Sequence, residues 1–133
     1  MEKGMAGRIT HGLVGMVVGG RLTKLRINTM ENNAQTENSK DHSLILSSGI
    51  FGGYIGGILP DILEPATHFR HRKIMHSKIF GSILSVLLIV LFVFQPKKPS
   101  IIILSRFFIE SLIAGYLSHL FLDSQTKVGL PTI

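Results

Sequence analysis

The sequence predicts an all-α protein, a four-helix transmembrane bundle with short loops, and three observations carry that expectation. Two runs of 18 residues, 43–60 and 79–96, contain no charged side chain. A helix needs about 18–20 apolar residues to cross a hydrocarbon core roughly 30 Å thick. Glycines recur through the first two apolar blocks, where a soluble helix would be weakened by them. A mean hydropathy of +0.37 sits beside 17% charged residues, which fits apolar blocks separated by basic loops better than an evenly patterned surface. The 133 residues are expected to form one membrane-embedded helical domain spanning 1–133.

The charge balance narrows the partners. Lys and Arg number 14 against 8 Asp and Glu, a net charge of +6. No basic helix spaces aromatic side chains for base stacking, so nucleic acid is not expected. The cations flank apolar segments, where anionic headgroups attract them, and the lipid bilayer is the expected partner. The absence of cysteine excludes disulfides, thiol nucleophiles and thiolate metal sites.

The first helix, about 9–25, contains ITHGLVGMVVGG before Arg21. Lys3 and Arg8 ahead of a short apolar run imitate a signal peptide, but a histidine inside the run argues that it stays. Residues 28–43, NTMENNAQTENSKDHS, are nearly free of apolar side chains and read as a flexible polar linker in which His42 is solvated. In the second helix, 43–60, Gly49, Gly53 and Gly57 form a stripe that lets another helix approach closely. The third, 79–96, is bounded by Lys78 and Lys97, and the turn QPKKPS at 95–100 makes the third and fourth helices antiparallel neighbours. Within the fourth, 101–122, Arg106 and Glu110 lie four apart on one face and can pair near the headgroups.

An up, down, up, down course brings the chemistry to one end. His11 begins the first helix, Asp61 and Glu64 follow the second, and His71 and His76 precede the third. His119 and Asp123 close the fourth, four residues apart and therefore on one face. Imidazole and carboxylate at that spacing can hold a cation jointly, and the negative end of the helix dipole favours one. With N and O donors and no thiolate, the expected cofactor is a divalent metal ion, zinc first, with manganese or iron as alternatives. Each residue alone has a plainer reading, as a hydrogen-bonded helix end or a loop histidine. Their convergence is what points to a site.

The pieces THGLVG, LPDILEP, HRKIMHS and HLFLD followed by Gly129 resemble the YdjM-like family of membrane-bound metal-dependent hydrolases. Their order and spacing run from His11 to Gly129, nearly the whole chain. The resemblance implies a multi-pass protein of the cell inner membrane. It marks His11, Asp61, His71, His76, His119 and Asp123 as candidate metal ligands, with Glu64 and Asp61 as candidate catalytic groups. Many members have Asp-x-Asp where this chain has Asp61 and then Glu64-Pro65, and a glycine where Lys73 follows Arg72. The implied chemistry is metal-assisted hydrolysis, in which the ion lowers the pKa of a water to roughly 7 and Glu64 takes its proton.

Arg70, Arg72, Lys73 and Lys78 crowd the loop before the third helix. They suit a phosphate-bearing lipid or small-molecule substrate, and equally the anchoring of a basic loop on anionic lipid. A non-enzymatic metal-binding membrane protein, serving transport, sensing or partner binding, is the alternative; an open coordination position separates the two. Lys3, Arg8, Arg70, Arg72, Lys73, Lys78 and Lys127 fall on the site side, against Arg21, Lys24, Arg26, Lys40, Lys97 and Lys98 on the other. That is no excess, and it assigns no orientation.

Overall fold

The computed structural model describes residues 2–32, 39–64, 75–94 and 100–125. Among these it has four helices and no strand: α1 Glu2–Asn32, α2 Ser39–Leu63, α3 Lys78–Val93 and α4 Ser100–Ser124. The all-α expectation holds, but the helix ends differ from the sequence reading. α1 continues through Asn32 and α2 begins at Ser39, so both helices reach into the 28–43 stretch expected as a linker. In the α1 part of that stretch Met30 packs against the apolar cluster around Ile27. α2 also runs past Pro60 to Leu63. Pro60 has no N–H to give the Gly56 carbonyl, yet the Glu64 amide donates to the Pro60 carbonyl at 2.9 Å, and Asp61 sits on the helix rather than in the loop.

α1, α2 and α4 pack tightly together, while α3 packs on α4. Glycine is what permits the close approach. A Cβ at Gly15 would collide with the Gly53 carbonyl, one at Gly53 with the Gly15 carbonyl, and one at Gly115 again with that of Gly53. Backbone thus meets backbone where the three helices converge, as small residues allow in apolar surroundings. One turn away, the Thr23 and Ser111 hydroxyls share a hydrogen bond of 3.0 Å. Both residues are fully buried.

The end of the bundle formed by the α1 C-terminus and the α4 N-terminus holds Ile27, Ile45 and Phe107 in a small apolar cluster. Beside it lies a buried ion triad. Arg26 donates from Nε to Glu110 Oε2 at 3.2 Å and from Nη2 to Oε1 at 2.8 Å, and Arg106 Nε donates to Oε1 at 2.8 Å. Arg26 also donates to the carbonyls of Leu91 and Phe92 and lies over the Phe92 ring, so it caps the last turn of α3. The expected Arg106–Glu110 pair is present, but Glu110 is only 1% exposed and Arg26, counted from sequence only among the cations away from the site, is its second partner.

α3 is 16 residues long, or ~24 Å at 1.5 Å per residue. That is shorter than the 79–96 span expected, since Pro96 disfavours helix in the residue before it. Among the described residues only His42–Leu63 of α2 is both long and apolar enough to cross a membrane, with a mean hydropathy of 1.4. α1 and α4 bury charged and polar groups, and α3 is short. Four helices are present as expected, and among the described residues α2 has the length and apolarity of a membrane span.

Candidate metal centre

The opposite end gathers side chains from α1, α2 and α4 and from the residues just after α2 and just before α3. His11 comes from the first half of α1, Asp61 from the last turn of α2, and His119 and Asp123 from one face of α4. Glu64 follows α2 directly. His76 sits just before α3, where Ser77 accepts the Phe80 amide at 3.1 Å and caps the helix. The Tyr116 hydroxyl donates to the Met75 carbonyl at 2.9 Å, fixing the backbone that carries His76.

His119 is fully buried and His76 is 1% exposed, while His11, Asp61, Asp123 and Glu64 are largely covered. The His76 and His119 Nε2 atoms lie 3.3 Å apart. Asp123 Oδ2 is 3.5 Å from each of them. Asp61 Oδ1 is 4.0 Å from His76 Nε2 and 3.9 Å from His119 Nε2. His11 faces the other carboxylate oxygens, with Nδ1 3.7 Å from Asp61 Oδ2 and Nε2 3.8 Å from Asp123 Oδ1. His76 Nδ1 meets Glu64 Oε2 at 3.2 Å.

Imidazole nitrogens and carboxylate oxygens thus gather around the buried His119. In His11, His119 and Asp123, and again in Asp61, His76 and His119, one ligand atom per residue lies within 4.8 Å of the others. Such a donor set suits a divalent ion of the zinc, manganese or iron type and offers nothing to a thiophilic one. Of the residues singled out by sequence, His11, Asp61, Glu64, His76, His119 and Asp123 are brought together here, whereas His71 lies outside the described residues.

Three contributors escaped the sequence reading. The Gly57 carbonyl meets His119 Nδ1 at 2.7 Å, and no pattern announces a backbone acceptor. Arg8 Nη2 donates to the Asp61 carbonyl at 3.3 Å. Tyr116 stands one turn before His119 on the same face, a spacing that could have drawn attention to it.

No curated protein and no solved structure matches the chain significantly. A family model, described as YdjM inner membrane protein, matches residues 5–133, and that match covers all four helices and the polar end. The chain belongs to the YdjM inner membrane protein family.

Proposed function

We propose that the protein is a multi-pass, metal-dependent hydrolase of the inner membrane, acting on an ester or phosphoester near the membrane surface. The observation that carries this reading is the gathering of three imidazoles and two aspartates into two overlapping groups that share the buried His119. Embedding in lipid is supported by the outer surface. Gly81 is the one buried residue of α3, and Val86, Ile89 and Val93 are each more than 60% exposed. Apolar faces of that extent mark contact with lipid or another protein. The ion supplies Lewis acidity when bound, acidifying a water and polarising the bond under attack.

The remaining work falls to the chain's own groups. His76, His119 and the aspartates supply the ligand atoms, and burial excludes bulk water. A carboxylate of the cluster, Asp61 or Glu64, accepts the proton of the attacking water. Arg8 beside Asp61 and the exposed Lys78 at the start of α3 provide positive charge for a phosphate-bearing lipid headgroup or small substrate. A second reading, a metal-binding membrane protein without turnover, has a specific observation in its favour. His76, His119, Asp61 and Asp123 are enough to close a tetrahedral zinc site with no position left for water.

Two measurements test the proposal. Carbonate-washed membranes should retain the protein in the pellet; release into the supernatant refutes the embedded bundle. The purified protein should contain a transition-metal ion and hydrolyse members of an ester and phosphoester panel, with activity lost to a chelator and restored by metal. A metal-loaded protein inert on the whole panel favours the second reading.

A further inference from the structure

The hydrogen bonds around the cluster fix which atom of each histidine can serve an ion. A carbonyl oxygen can only accept, so the 2.7 Å contact with Gly57 requires that His119 Nδ1 carry the proton. Its Nε2 then presents the lone pair, toward His76 and both aspartates. For His76 the Glu64 carboxylate plays the same part, holding the proton on Nδ1 at 3.2 Å and leaving Nε2 as the ligand atom. The His11 Nδ1 atom lies 2.8 Å from His119 Nδ1, on the side of the ring that already carries the proton. That contact is favourable only if His11 Nδ1 is itself a lone pair, so His11 carries its proton on Nε2, toward Asp123 Oδ1.

The carboxylates divide in the same way. Asp61 Oδ1 and Asp123 Oδ2 face the two Nε2 atoms, whereas Asp61 Oδ2 and Asp123 Oδ1 face His11. Tetrahedral bonds of ~2.0–2.1 Å place neighbouring ligand atoms about 3.3–3.4 Å apart. The 3.3 Å and 3.5 Å separations among His76, His119 and Asp123 meet that spacing, and those to Asp61, at 3.9 Å and 4.0 Å, exceed it only slightly.

We infer that the centre binds a single ion through Nε2 of His76 and His119 and the inner oxygens of Asp61 and Asp123, with His11, Glu64 and the Gly57 carbonyl as outer partners that orient those ligands. His119 cannot bridge two ions, because its second nitrogen is committed to Gly57. Glu64 is a positioning residue for His76, and His11 turns its Nε2 hydrogen toward the outer oxygen of Asp123 at 3.8 Å. This assignment rests on the metal-binding part of the proposed function; with all four ligands bound, turnover needs a fifth position for water.

Cobalt(II) titration of the full chain in detergent tests it, followed by absorption spectroscopy, with circular dichroism verifying helix content. The wild type should bind one Co²⁺ per chain. His76→Ala and Asp123→Ala should abolish specific binding. Glu64→Ala and His11→Ala should bind the same single ion about 10–100-fold more weakly, as loss of an outer partner does, with the visible bands little changed. Glu64→Gln, whose amide oxygen still accepts from His76 Nδ1, should recover most of that loss. Two ions per chain overturns the inference, as does His11→Ala behaving like the ligand variants or Glu64→Ala binding as tightly as wild type. A wild type that binds no metal refutes the proposed function along with it, so the two failures are distinguishable.

Discussion

The two ends of the bundle both bury ionisable groups, yet they solve opposite electrostatic problems. Where α1 ends and α4 begins, donors meet acceptors: two guanidiniums share the Glu110 carboxylate, and Arg26 spends its remaining hydrogens on the α3 carbonyls. Each charge there faces an opposite one, while Nη2 of Arg106 is buried with no hydrogen-bond partner among the described residues. At the other end imidazole nitrogens and carboxylate oxygens crowd together at 3.3–4.0 Å, a spacing at which such atoms can share one cation. Such an arrangement is unfavourable unless a cation or protons occupy its centre. Burial of charge therefore does not mark a functional site; the sign of what the groups point at does.

Breaking the polar end should produce the largest effect on metal. His119→Ala is expected to lower affinity by more than about 100-fold, beyond what loss of an outer partner does, while helix content persists; isothermal titration with Zn²⁺ reads it. Retention of wild-type affinity would show that the acceptors meet for another reason. Breaking the ionic end should instead cost stability. Glu110→Ala strands two buried cations and is expected to lose about 3–5 kcal/mol in denaturant unfolding in detergent, with metal stoichiometry unchanged. Replacing Arg26, Glu110 and Arg106 together by Met or Leu should come near neutrality, because a buried triad is hard to remove in part and easy to remove whole. Loss of metal in Glu110→Ala would show that the ends are coupled.

Smaller effects sharpen the picture between the ends. Gly53→Ala forces α2 away from α1 and should cost about 1–3 kcal/mol while weakening metal binding, because Gly57, one turn on, orients His119. Thr23→Val removes one shared hydroxyl bond, but Ser111 keeps the Gly19 carbonyl as an acceptor at 3.4 Å. Its cost should be about 0.5–1.5 kcal/mol, with metal binding untouched, by the same unfolding and titration measurements.

The sequence by itself determined the helices and the gathering of chemistry. Charge-free runs and glycine stripes mark where backbone must satisfy itself in apolar surroundings, and an even number of antiparallel helices returns His11, Asp61, His76, His119 and Asp123 to one end whatever the details of packing. The HxxxD spacing put His119 and Asp123 on one face before any coordinates. What only the tertiary structure decided depends on rotation and register between helices, which periodicity does not encode. Arg26 and Arg106 are equally basic in sequence, but the pitch of α1 against α4 sets Arg26 bidentate on Glu110 and under the end of α3. His11 and His119 are alike as residue types, yet the Gly57 carbonyl, exposed to His119 because glycine lets α2 and α4 touch, fixes which nitrogen of His119 keeps its lone pair. That choice turns a set of polar residues into a set of oriented ligands, and it is made by backbone contact between helices distant in sequence.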